Sequence, residues 1–109
     1  MGAERRKYTR LATDQIISFA MVDESQRLAV GKDVSPGGIR FEAVGIELNE
    51  GETIRVTFNL EDETVVAIGR VAWATELDAF TTDIGLEFED IDPEALAKLE
   101  GVAEVLPEA

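Results

Sequence analysis

The chain contains neither cysteine nor histidine. It therefore has no disulfide framework, no zinc site of the usual nitrogen and sulfur donors, no thiol nucleophile and no imidazole base, and much common catalysis is excluded. Aromatic residues are scarce, with five Phe, one Trp and one Tyr, and proline occurs three times. No long hydrophobic run is present either: the apolar stretch from Ile16 to Val22 falls well short of the ~20 residues a membrane helix needs. The charged first residues are followed by no apolar signal core. The sequence reads as a soluble, cytoplasmic protein with no membrane insertion. Positive charge is also in short supply, with 10 Lys and Arg against 23 Asp and Glu and a net charge of −13. A long nucleic acid or an anionic membrane would meet repulsion on most approaches, which argues against both as partners.

What is there describes one folded unit. A length of 109 residues suits a single core, and 45% hydrophobic with 30% charged residues is a globular composition, not a disordered one. Residues 53–60 alternate strictly, placing Ile54, Val56, Phe58 and Leu60 on one face of a half-buried strand. Residues 38–42 and 83–88 alternate in the same way, and weaker strand patterns cover 15–22, 27–34 and 64–75. Turn formers separate them at Asp23-Glu24-Ser25, Ser35-Pro36-Gly37-Gly38, Asn49-Glu50-Gly51 and Glu61-Asp62-Glu63. Six short antiparallel strands must protect their edges, and a small all-β barrel does so. The period then changes. Asp92 suits an N-cap, Pro93 the first helical position, and Ala95, Leu96, Leu99 and Val102 fall at helical spacing, which predicts a short C-terminal α-helix over about 93–103 packed on the barrel.

Charge is unevenly spread. Residues 1–40 hold seven Lys or Arg against five acids, whereas residues 41–109 hold three against eighteen. Four of the cations, Arg5, Arg6, Lys7 and Arg10, precede the first convincing strand. Residues 1–10 thus read as a flexible basic arm before a single domain over 11–109. Such a run is commonly a solvated arm, but arginine also offers two parallel donors to a phosphate or a guanine edge and can lie flat on a purine. Strand periodicity puts Asp33 and Ser35 on one side, presented outward, and Val34 on the other with Leu28 and Val30. Asp33-Val34-Ser35-Pro36-Gly37-Gly38 reads either as a plain turn, in which the glycines permit φ > 0, or as a carboxylate and a hydroxyl accepting from the N1–H and N2–H₂ edge of a guanine. Trp73 shares a face with Val65, Ala67 and Val71 and reads either as core or as a wall on which a guanine stacks. The acidic clusters at 61–63 and 87–90 have no calcium-loop spacing and read as solvated faces, so no metal site is assigned. No base, nucleophile or oxyanion donor is organised with them, and no catalytic residue is assigned.

The spacing Arg6-x-x-x-Arg10, with Arg5 doubling the first arginine, followed by Asp33-x-Ser35-x-x-Gly38, resembles the PilZ domain, a bacterial receptor for cyclic di-GMP. Residues 38–41, 69–73 and 84–88 stand where that family's core strands run, so the resemblance covers about residues 4–100. It implies a six-stranded antiparallel β-barrel with a C-terminal helix that binds cyclic di-GMP on its outer surface as a ligand, with no cofactor and no turnover. Arg6 and Arg10 would grip phosphate and guanine with Arg5 as helper, Asp33 and Ser35 would hydrogen-bond the ligand, and Gly38 would keep the turn open. The arm would order on binding, and a protein partner would read the altered surface. The alternative is the same barrel as an interaction module that binds no nucleotide. A barrel for single-stranded nucleic acid would need a basic groove interleaved with aromatics, which the acidic balance of 41–109 opposes.

Overall fold

The computed structural model describes residues 11–12, 15–21 and 26–105. The basic segment 1–10, with Arg5, Arg6 and Arg10, and the turn at 23–25 lie outside the described residues. Among the described residues, seven strands and one helix follow in order: β1 (Leu11–Ala12), β2 (Ile16–Met21), β3 (Arg27–Ser35), β4 (Gly38–Val44), β5 (Thr53–Leu60), β6 (Glu63–Glu76), β7 (Thr81–Ile91) and α1 (Pro93–Val105).

All pairings are antiparallel. Six strands run β3-β2-β5-β6-β7-β4, and β4 pairs back onto β3, which closes the barrel. The two-residue β1 lies along the same edge of β3 that β2 occupies further on. Leu11 stands opposite Val34 and Ala12 opposite Asp33, while Ile16 stands opposite Val30. Among the described strands closure leaves no long edge exposed, as a chain of short strands requires.

The alternation in β5 behaves as its sequence dictates: Ile54, Val56, Phe58 and Leu60 are buried while Thr53, Arg55 and Asn59 face water. Each such buried side chain contributes ~1.5–3 kcal/mol by leaving water. They join Ile17, Phe19, Val34, Ile39, Phe41, Val71, Ile84 and Leu86 in one core. Within it the Phe19 and Phe41 rings meet at 5.3 Å, and Phe58 stacks on Phe88 at 6.0 Å. The helix adds Ala95 and Leu99 to this core. Its start is capped by Asp92, whose Oδ1 accepts from the Glu94 N–H at 3.2 Å, with Pro93 in the first turn where its missing N–H costs nothing. Among the described residues no helix is long and apolar enough to cross a membrane.

Three register shifts interrupt the period-2 pattern: between Gly31 and Asp33 on β3, between Val71 and Trp73 on β6, and opposite Ile68/Gly69, where β7 carries the extra residue Glu89. An extra residue against a regular partner strand reverses which face the following side chains occupy. Two sequence expectations fail for this reason. Leu28 does not share the core face with Val34; it is 72% exposed, and Ala29 and Gly31 are buried instead. Trp73 does not share a face with Val65, Ala67 and Val71. Val71 is opposite Leu86 and Trp73 opposite Gly85, so Ala72 is the extra residue and the indole turns outward.

Candidate functional site

The β3–β4 hairpin positions the Asp33-x-Ser35-x-x-Gly38 motif. Ser35 and Gly38 form its last pair, with Pro36 and Gly37 as the two-residue turn. Ser35 Oγ accepts from the Gly37 N–H at 3.2 Å, a local bond that ties the hydroxyl to the turn. The tip is drawn onto β7 by the Phe88 N–H, which donates to the Gly37 carbonyl at 2.9 Å. Ser35 lies on the outer row of the ladder but is only 6% exposed, so its hydroxyl is covered and not open to solvent as the sequence suggests.

Gly38 also differs from expectation. Neither it nor Gly37 takes a positive φ; among the described glycines only Gly45 and Gly51 do. A Cβ at Gly38 would overlap the backbone carbonyl oxygen of Leu86 and lie 3.1 Å from its carbon. Close approach of β4 to β7, not the turn, requires the glycine.

Strand register brings further groups to the same outer surface. Asp33 is opposite Arg40, Arg40 opposite Gly85, and Gly85 opposite Trp73, so one row crosses β3, β4, β7 and β6. The next row runs Ser35, Gly38, Glu87, Arg70. The Trp73 ring lies flat against the floor that Gly85 leaves: a Cβ there would overlap Cε2 and Nε1. At 38% exposure the indole keeps part of its surface open to solvent on this face of the barrel.

Arg40 links two carboxylates. Its Nε donates to Asp33 Oδ2 at 3.0 Å and its Nη1 to Asp83 Oδ2 at 3.0 Å. The Asp33 hydrogen bond, with the charges of both carboxylates and against partial desolvation, raises the Arg40 pKa above its already high value, so the group is a permanent cation. Asp83 Oδ1 is buried without a hydrogen-bond partner. The three groups carry a net single negative charge, and the guanidinium holds the Asp33 carboxylate in a fixed orientation. Such a carboxylate suits a donor-rich edge such as N1–H and N2–H₂ of guanine. Arg70 sits 3.4 Å from Glu89 and 3.8 Å from Glu87 on the exposed surface, where pairs of this kind contribute ~0–1 kcal/mol.

Of the residues singled out from sequence, the structure thus brings Asp33, Ser35, Gly38 and Trp73 to one surface. Arg5, Arg6 and Arg10 lie outside the described residues. Arg40, Asp83 and Gly85 were missed; the only signal was their polar or small character at outward positions of alternating strands, which does not reveal that register aligns them. Among the described residues no group of three or more acidic side chains is placed to hold a metal ion.

The family model for the PilZ domain matches residues 4–104. The chain belongs to the PilZ domain family. Solved structures share this PilZ fold. The Bacillus subtilis inhibitor of motility MotI/DgrA aligns with a TM-score of 0.72 and 22% identity over 92% of this chain and 50% of that one. The PilZ domain of Escherichia coli YcgR, solved with c-di-GMP, aligns at 0.66 and 19% over 94% and 91%. Borreliella burgdorferi PlzA in complex with c-di-GMP aligns at 0.66 and 13% over 94% and 42%. At these identities the likeness is one of fold, and this PilZ domain spans about half the length of MotI and less than half of PlzA. A comparison with curated proteins found no match.

Proposed function

We propose that this PilZ domain is a non-catalytic receptor for cyclic di-GMP, with the ligand lying on the outer barrel surface between the β3–β4 hairpin and Trp73. One observation carries the reading. Leu11 pairs with Val34, so the chain enters the barrel between Asp33 and Ser35, and the residue before Leu11 is Arg10. This pairing supports a role for the preceding Arg6-x-x-x-Arg10 segment at the carboxylate and hydroxyl of the hairpin. The arginines supply charge-assisted, bidentate bonds to phosphate and guanine, and Asp33, oriented by Arg40, accepts from a guanine edge. Gly85 gives the Trp73 ring its seat, and Trp73 offers an indole for stacking.

A net charge of −13 does not oppose a local anion site, because screening limits the field of exposed charges to roughly 8–10 Å. Ligand binding orders residues 4–10 over the dinucleotide, and the surface so formed is read by a protein partner. Ordering costs backbone entropy of ~1–2 kcal/mol per residue, which the charge-assisted bonds must exceed. Amide hydrogen exchange tests this step. Residues 4–10 are expected to gain protection on addition of cyclic di-GMP; equal protection with and without it contradicts the ordering mechanism. Arg6→Ala or Arg10→Ala is expected to weaken binding by about 1–3 kcal/mol for each bidentate interaction removed, with little recovered by Lys.

A further inference from the structure

The opposite end of the β4–β7 ladder presents a surface that recognition at Asp33 does not use. Four of the five phenylalanines are buried or packed on the core; Phe80 is 71% exposed. Its backbone is nevertheless held firmly. Asp78 Oδ1 accepts from the Phe80 and Thr81 N–H groups, both at 2.8 Å. The Leu77 N–H donates to the Thr81 carbonyl at 2.9 Å, and the Gly45 N–H donates to the Phe80 carbonyl at 2.9 Å, pinning the β6–β7 hairpin to the end of β4.

Phe80 lines an open groove of about 300 Å³ with Ile46, Glu47, Glu76, Asp78 and Thr82, and no Lys or Arg contributes to the lining. Exposed Leu77 and Val44 adjoin it in sequence. The Asp78 carboxyl is held below the ordinary aspartate range by the Phe80 and Thr81 N–H bonds, so it stays ionised. The ladder from Gly38/Glu87 to Val44/Thr81 puts this groove about 20 Å from the hairpin at ~3.4 Å per residue, far enough for both surfaces to be occupied together.

We infer that this groove docks a partner-protein segment presenting an apolar side chain flanked by lysine or arginine. An aromatic ring on a pre-organised turn is the kind of anchor that dominates protein interfaces, and three carboxylates around it select the charge of the partner's rim. Nucleic acid and anionic lipid present phosphate to the same carboxylates and are repelled. A second copy meeting through this face would set acid against acid.

The test is an NMR titration of the ¹⁵N-labelled full chain with a synthetic peptide carrying one central Phe between lysines. Two control peptides have Ser for the Phe or Glu for the lysines. Amide shifts are expected to concentrate at residues 45–47 and 76–82. Affinity should fall roughly ten-fold or more for the Ser control and for Phe80→Ser and Glu47→Lys proteins. The exposure of both side chains leaves the fold of these variants intact, and both should bind cyclic di-GMP as the unmodified chain does, so the result is independent of the receptor reading. Shifts spread over the whole acidic surface, a Ser peptide that binds equally well, undiminished binding by both variants, or self-association through residues 76–82 would each overturn the inference.

Discussion

Replacing Gly38 by alanine separates two roles for this motif glycine. The added carbon would overlap the Leu86 carbonyl oxygen, with the Leu86 carbon at 3.1 Å and the Glu87 Cα at 3.3 Å, all of them backbone atoms. Backbone cannot rotate aside as the end of a side chain can, so β4 and β7 must part by on the order of 1 Å to restore normal van der Waals distance. Parting strains the Gly38/Glu87 pair and the Phe88 N–H bond to the Gly37 carbonyl, now 2.9 Å, at about 1 kcal/mol net for each bond broken. Loosened packing of Ile39 and Leu86, both buried, adds about 1 kcal/mol. Alanine returns ~0.4–1 kcal/mol by restricting the unfolded chain. The net expectation is a destabilisation of about 2 kcal/mol, or a melting temperature lowered by about 8 °C in a domain of this size. Thermal unfolding followed by circular dichroism without ligand reads it directly. A Gly38→Ala protein that melts within about 2 °C of the unmodified chain, yet binds cyclic di-GMP poorly, would refute the packing argument and restore a role confined to ligand access.

Gly85→Ala should behave differently, because its added carbon meets the Trp73 ring and not backbone: the indole swings outward, the fluorescence shifts to the red, and stability falls by only about 1 kcal/mol; an unmoved emission maximum contradicts this. Arg40→Ala leaves Asp33 and the mostly buried Asp83 facing each other without their shared cation, and urea unfolding should show a destabilisation of about 2 kcal/mol, between the values for exposed and for buried pairs. Lysine, with one point charge and no fork, should recover less than half of it. The Asp78 carboxyl is lowered from its ordinary value of 3.8 first by the Phe80 N–H and next by the Thr81 N–H. Its contribution to the hairpin tip is therefore complete above pH ~4 and lost as pH falls through the lowered value, so the Phe80 and Thr81 amide resonances should titrate with a midpoint below 3.8; a midpoint at or above it contradicts the bonding.

Most of the barrel was legible because strands half-buried on a single core announce themselves by alternation. The run 53–60 became β5 with the same bounds, and Asp92-Pro93 marked the start of α1. Alternation fails where an extra residue enters one strand. The shifts after Gly31 and Val71 reversed the faces read for Leu28 and Trp73, and nothing in those stretches distinguishes an extra residue from a regular one. The two-residue β1 is too short to carry a period at all. Asp33, Ser35 and Gly38 were found through their spacing. The partnership of Arg40 with Asp33 and Asp83 depends on which strands become neighbours, across 43 positions in the case of Asp83, and local pattern does not encode that.

Isothermal titration calorimetry with cyclic di-GMP, beside GTP and cyclic AMP, on the unmodified chain and on an Arg6→Ala/Arg10→Ala double variant addresses the receptor reading most directly. A saturable heat for cyclic di-GMP alone, abolished in the double variant, is the predicted result. No heat from the unmodified chain at saturating cyclic di-GMP would contradict it.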